Sequence, residues 1–238
     1  MKKETLQNIV YSPLYLWFKL HAILPMRILY ILSDILYFPL YYIVHYRRKL
    51  VSENLRKAFP DKTDKELKQL EQKFYHHFCD YIVETIKLMH ISDEEMRRRM
   101  KFEQVEIIDR LFEENRSIII LLGHFGNWEW VPSVTLWTRT PDVMFALRAI
   151  LQMKRSGKPS ITGFMSDQTP SPTNIHHWAR FLSQDSPVLT GFEKIARKTD
   201  FTVLYFDVEI VKRGYYKTTI REIALRPNEL PEFEITDR

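Results

Sequence analysis

Residues 117–122 read Ser-Ile-Ile-Ile-Leu-Leu, a short run with no polar alternation and three β-branched residues in a row. A strand with one face in water alternates apolar and polar side chains. A continuous apolar run is buried on both faces, which is the habit of strands in a sheet covered by helices. The run stops at Gly123.

The rest of the second half fits that reading. Residues 142–146 and 160–165 are further strand candidates. Residues 149–155 read as a helix stopped by Gly157 and Pro159, and Thr190 opens a helix that runs through Lys198. Residues 201–211 and 215–220 pattern as a hairpin around Arg213-Gly214. Strand and helix alternate, so the expected fold class is α/β, a mostly parallel sheet flanked by helices. In such sheets ligands bind beyond the carboxyl ends of the strands. Two polar clusters fall there: His124 to Glu129, and Asp167-Gln168.

Ahead of the sheet the pattern is helical. Thr63 with Glu66 makes a capping box. Leu67, Leu70, Phe74, Phe78, Tyr81, Thr85 and Leu88 follow at helical spacing. Ser92 with Glu95 repeats the cap before a short basic helix over residues 96–101. Further upstream, residues 28–44 are apolar and aromatic, interrupted by Ser33, Asp34 and Pro39 and followed by the basic run Arg47-Arg48-Lys49. A spanning helix needs about 20 apolar residues, which this run reaches only with Leu24 and Met26. Asp34 and Pro39 favour a kinked or interfacial segment. The tyrosines at 37, 41, 42 and 46 suit a headgroup belt, with the cations on the cytoplasmic side. A buried helical hairpin is the competing account of the same residues. No small-residue cleavage site follows, so a secretory signal is not expected.

Composition narrows the function classes. The chain has 238 residues, 45% of them hydrophobic and 27% charged, as a globular protein has. Its single cysteine, Cys79, excludes an intramolecular disulfide and a multi-cysteine zinc site within one chain. The net charge of +5 suits anionic lipid, an acidic protein or nucleic acid. No nucleic-acid motif accompanies the charge, and a nucleic-acid partner is not expected. A P-loop, a dinucleotide glycine pattern and a serine nucleophile elbow are also lacking.

The chemistry-bearing string is Gly123-His124-Phe125-Gly126-Asn127-Trp128-Glu129. A histidine leaves the end of a buried strand, and a glutamate follows five residues on, with Gly126 permitting a tight path between them. From the first turn of a following helix, Glu129 can reach back to one imidazole nitrogen and fix the tautomer. The other nitrogen is then left to take a proton from a hydroxyl. On spacing alone, a histidine packed at a strand end and a glutamate serving a helix dipole are the favoured account of the pair. Elsewhere, His76-His77 lies mid-helix, where adjacent positions do not share a face. His176-His177-Trp178 reads as a loop after a Pro-rich stretch.

HFGNWE after an apolar strand resembles the bacterial lipid A biosynthesis acyltransferases, the lauroyl/myristoyl acyltransferase family. Asn54-Leu55 through Ala58-Phe59-Pro60, Asp167-Gln168 after a strand, and Thr190-Gly191-Phe192 with Ala196 are similar to further segments of that family in the same order. The resemblance runs from about residue 25 to residue 210. It implies a glycerolipid-acyltransferase-like fold with an N-terminal membrane-associated segment over residues 1–50 and an acyltransferase domain over 51–238. It implies His124 as general base and Glu129 as its partner. Gly126, Asn127, Asp167 and Gln168 would bind substrate, Asp167 positioning the acceptor or polar residues in the site. The expected donor is the thioester of acyl-carrier protein or CoA, acting as a co-substrate, with no cofactor and no metal. The expected acceptor is a membrane glycolipid at the cytoplasmic face of the bacterial inner membrane.

Two departures go with the resemblance. The family's Tyr-Arg-Pro motif is missing around Phe145-Ala146-Leu147-Arg148, and the family's C-terminal helix has no counterpart before Arg238. The domain is therefore expected to be shortened internally near 145–148 and at its C-terminus. Two alternatives stay open: the same chemistry on a lysophospholipid, or a non-catalytic lipid-binding descendant of the family.

Overall fold

A computed structural model describes residues 3–139 and 159–238, with side chains from residue 13 onward. The strand and helix expected over 142–146 and 149–155, and the departure at 145–148, lie outside the described residues. The chain divides into two compact units, Met1–Glu95 and Met96–Arg238.

The first unit is helical. It contains α1 (Lys3–Ile23), α2 (Met26–Phe38), α3 (Arg48–Ala58) and α4 (Asp64–Lys87). Pro39 has no N–H to give and its ring crowds the preceding turn, so the helix cannot simply continue. The chain widens into a π-helical stretch, Pro39–Ile43, closed by the Val44 N–H donating to the Pro39 carbonyl at 2.8 Å. The break anticipated from Pro39 is thus a change of helix type. α4 begins at the expected capping box, with Thr63 and Glu66 bonded reciprocally.

The stripe that α4 buries differs from the one its apolar spacing suggests. Leu67, Glu71, Tyr75, Cys79, Val83 and Lys87 face inward, while Phe74 is 44% exposed. The reason is a row of polar contacts. Tyr30 donates to Glu84 at 2.8 Å, Ser33 to Asp80 at 2.6 Å, and Tyr41 to Glu71 at 2.8 Å. Arg48 also reaches Glu71, at 2.8 Å, with its guanidinium over the Tyr41 ring. The Lys87 ammonium donates to the carbonyls of Ala22 and Leu24, both at 3.0 Å. A buried polar group is costly unless partnered, and these partners turn α4 by its polar side.

The second unit holds a five-stranded sheet in the order β1-β7-β6-β2-β3. The strands are β1 (Met100–Glu103), β2 (Ile118–Leu122), β3 (Ile161–Met165), β6 (Thr202–Lys212) and β7 (Tyr215–Ala224). Among the described residues of this sheet, β2 pairs in parallel with β3 and β6, and β1 with β7, while β6 and β7 are antiparallel. The fold is therefore the expected α/β arrangement with a mostly parallel sheet. Every residue of β2 is buried, as its unbroken apolar run requires.

One face of the sheet packs Ile119, Leu121 and Val203 on Phe192 and Ala196 of α7 (Gly191–Thr199) and on Ile235 of α8 (Glu234–Asp237). Helix α5 (Asp93–Arg99) starts three residues ahead of the expected basic helix, because Ser92 caps it by accepting from the Glu95 N–H at 3.2 Å. Residues 100 and 101, expected as the end of that helix, instead open the edge strand β1. Helix α6 (Glu106–Glu113) follows it. The His176-His177-Trp178 loop is in part a strand: β4 (His177–Phe181) pairs antiparallel with β5 (Gln184–Val188). His177 ties this hairpin to α8, its Nε2 lying 2.7 Å from Asp237 and its ring stacked on Phe233.

Candidate active site

The parallel register places the site. Leu122 of β2 stands beside Met165 of β3. Two residues beyond each, on adjacent strand ends, come His124 and Asp167. The two side chains meet: His124 Nδ1 lies 2.7 Å from Asp167 Oδ1. The second carboxylate oxygen, Oδ2, accepts the His124 backbone N–H at 2.6 Å. Asp167 thus holds both the ring and the backbone of the histidine. A neutral imidazole that donates Nδ1–H to a carboxylate keeps Nε2 as a lone-pair base.

The surroundings leave that nitrogen usable. Both side chains remain accessible to solvent, and Trp128 stands edge-on to the imidazole with ring centroids 5.0 Å apart. Two glycines are needed for the geometry. A Cβ on Gly123 would lie 3.2 Å from Asp167 Oδ2, a contact tight enough to press on the carboxylate. Gly126 has φ +63°, and a Cβ there would meet Val208 at 3.0 Å and Tyr216 at 3.3 Å. The loop beyond His124 thereby lies directly on the β6–β7 hairpin.

The other sequence-derived residues are placed as follows. Asn127 is fully buried and caps the 3₁₀ helix Trp128–Leu136, its carbonyl accepting the Trp130 N–H at 3.0 Å. Glu129 lies in the first turn of that helix and is half-buried. Gln168 follows Asp167 and is exposed. The contact at His124 Nδ1 comes from Asp167, which the resemblance assigns to positioning the acceptor or polar residues of the site. The signal that finds it is the β2–β3 register, which becomes usable only once the strand order is known.

On the α7 side of the sheet, a cavity of about 230 Å³ opens beside these strand ends. Leu121, Val188, Leu189, Phe192 and Ile235 line it, with Ser166, the neighbour of Asp167, at its polar side. Tyr205, level with Leu121 in the sheet, also borders it. Burial pushes the Tyr205 phenol up, and the charges of Asp207 and Asp167 add to the shift.

A histidine held by a carboxylate at the carboxyl end of a central parallel strand, beside an apolar cavity, is an arrangement that general-base chemistry on a hydroxyl can use. The bacterial lipid A biosynthesis acyltransferase family matches residues 4–149. That is more than half of the chain, which therefore belongs to this family and to its acyltransferase class. The matched region takes in Gly123 through Glu129 and ends before Asp167. No curated protein matches the chain.

Proposed function

We propose that this protein transfers a fatty acyl group from the thioester of acyl-carrier protein to a hydroxyl of a lipid A precursor or closely related glycolipid, at the cytoplasmic face of the inner membrane. The observation that carries the reading is the doubly held His124. Its Nε2 takes the proton as the acceptor oxygen attacks the thioester carbonyl. The tetrahedral intermediate then expels the thiolate by breaking the C–S bond, and the imidazolium returns the proton to the sulfur. Asp167 steadies the imidazolium as it forms, which suits a 2.7 Å contact to a carboxylate. Glu129 is the second carboxylate that family resemblance assigns to the site, and Gln168 stands beside Asp167 to meet the acceptor. The oxyanion is assigned to backbone N–H groups at the start of the 3₁₀ helix, near Gly126 and Asn127.

The cavity beside the strand ends supports an acyl substrate. At about 230 Å³ and mostly apolar, it is smaller than the roughly 300–1,000 Å³ of small-molecule sites and suits part of a hydrocarbon chain.

The helical unit supports a membrane setting. The segment Met26–Ile43 is long and apolar enough to cross a bilayer by length and composition. Its polar contacts face α4, while Ile31, Ile35 and Phe38 are 55%, 62% and 59% exposed. Polar inside and apolar outside is the arrangement that hydrocarbon favours and water does not.

The test is acyl transfer from labelled acyl-carrier protein to a Kdo-bearing lipid A precursor, comparing membranes that contain the parent chain or His124→Ala. Transfer by the parent that collapses in the variant is the expected result. Equal transfer by both removes His124 from the mechanism, and no transfer by either, with the protein in the membrane, favours a non-catalytic lipid-binding role.

A further inference from the structure

Strands β2 and β6 run the same way, with Leu121 beside Tyr205. β2 ends at Leu122 and releases the His124 loop, whereas β6 continues to Lys212 before turning back. The loop rests at Gly126 on Val208 and on Tyr216, the partner of Ile210 in the hairpin ladder. The tip therefore projects past this contact by the length of Ile210 to Lys212, about 7 Å at an extended rise of about 3.4 Å per residue.

That tip is unlike a solvated turn. Ile210 and Val211 are 37% and 57% exposed. The ladder shifts between Ile210↔Tyr216 and Lys212↔Tyr215, leaving Val211 as the extra residue of a bulge. Gly214, at φ +71°, closes the turn after Arg213. Cations are fixed around it on aromatic rings. Arg99 and Lys212 lie 4.9 and 4.3 Å from the Tyr215 ring centroid, and Arg97 and Lys101 lie 5.5 and 5.3 Å from that of Trp137. Arg99 also donates to the Gly214 carbonyl at 3.1 Å. Arg98 is exposed alongside. The nearest sheet carboxylates are paired: Glu103 and Glu209 lie 3.9 and 3.0 Å from the Lys217 ammonium, and Asp207 lies 2.6 Å from the Arg221 guanidinium.

We infer that the β6–β7 tip is a membrane-docking element, with Ile210 and Val211 entering the interface of an anionic bilayer and the Arg97–Lys101 and Lys212–Arg213 cations meeting lipid phosphates. Exposed aliphatic side chains ringed by tyrosine, tryptophan and cations match the chemistry of a headgroup boundary. An acidic folded partner would use the cations but would leave the aliphatic pair at the most prominent point without a role. The inference rests on the membrane-surface reading above. Its consequence is that the His124 loop stands just above the bilayer surface, within reach of a glycolipid headgroup.

The test uses the full chain with an environment-sensitive fluorophore on Val211→Cys. Cys79 is fully buried with its thiol pushed up to about 11, so it does not compete for the label. A chain labelled at Glu229→Cys, beyond the opposite end of β7, is the control. Both are added to equimolar phosphatidylglycerol–phosphatidylcholine vesicles carrying brominated lipid quenchers. Quenching at 211 but not at 229 is expected. Replacing Arg97, Arg98 and Lys212 by glutamine should weaken it about fivefold per cation. If the chain sediments with the vesicles while the label at 211 stays unquenched, the tip does not dock and the inference fails while the membrane reading stands. If the chain does not sediment, both fail. A response at 211 that needs added acyl-carrier protein overturns the inference in favour of a protein-docking surface.

Discussion

Asp167 grips His124 at two points, one carboxylate oxygen 2.7 Å from the ring Nδ1 and the other 2.6 Å from the backbone nitrogen. The arrangement fixes the imidazole in position and in tautomer at once. Asp167→Asn keeps the volume but removes the charge that steadies the imidazolium. General-base help is worth about 10²–10⁴-fold. A kcat loss of at least about 10²-fold with little change in KM is therefore expected, with His124→Ala at the upper end of that range. Steady-state acyl transfer by purified variants checks this, and an Asp167→Asn enzyme of parental kcat would show that the contact is only structural.

The two glycines separate site geometry from stability. Gly126→Ala forces an L side chain to φ +63° and into Val208 and Tyr216. It should lower both activity and thermal stability, the latter by about 1–2 kcal/mol. Gly123→Ala has no such backbone strain, but its Cβ presses on Asp167 Oδ2 at 3.2 Å. It should lower kcat while leaving the melting temperature close to the parent's. Parallel melts and rates on the two variants decide the matter, and a Gly123→Ala enzyme with parental kcat contradicts the close approach.

How far these features were legible in the residues alone follows from their range. The unbroken apolar run over residues 117–122 requires two-sided burial, so the sheet class and the position of His124 at a strand end follow from local pattern. The pairing of His124 with Asp167 spans 43 residues and depends on β3 lying beside β2, which strand propensity does not encode. The stripe of α4 fails for a related reason. Phe74 and Phe78 look like core by spacing, but partners on α2 and α3 draw Glu71, Asp80 and Glu84 inward. Edge strand β1, Met-Lys-Phe-Glu, alternates buried and exposed side chains, but four residues are too few to stand out, and it exists through its pairing with β7.

Cys79 gives the helical unit a pH signature. Burial, with the charges of Asp80 and Asp34 adding, raises its thiol from 9.0 to about 11. Above the ordinary value, the unfolded chain releases this proton and the folded chain keeps it. The stability associated with the protonated thiol is thus complete below about 9 and declines as pH rises through the window to about 11. Denaturant midpoints measured across that window should fall more steeply for the parent than for Cys79→Ala. Identical slopes would argue against burial of the thiol.

The outward aliphatic face of α2 can be tested separately from catalysis. Ile31 and Ile35 are exposed and do not take part in the polar row against α4. Ile31→Lys with Ile35→Lys should leave the helical unit folded in detergent, and a charge at a bilayer-facing position costs about 2.5–3.5 kcal/mol at the centre of a span. The double variant is therefore expected to shift from the membrane pellet to the soluble or aggregated fraction. Unchanged recovery in the pellet, with native circular dichroism, would place the lipid contact elsewhere.

Chain-length preference is the property most directly tied to the cavity beside the strand ends. Val188 lies on its wall at the end of β5, with Leu189 next to it and Phe192 on α7 opposite. Val188→Trp fills apolar space without touching His124 or Asp167. An apolar pocket discriminates a single methylene by about 1–3 kcal/mol. Competition between acyl-carrier proteins loaded with shorter and longer chains should therefore move kcat/KM toward the shorter donor by at least about tenfold. Rates with the shortest donor should stay near the parent's, because the proton-transfer machinery is intact. An unchanged length profile in a folded variant would mean that the acyl chain lies outside this cavity, and the assignment of His124 as base would be unaffected.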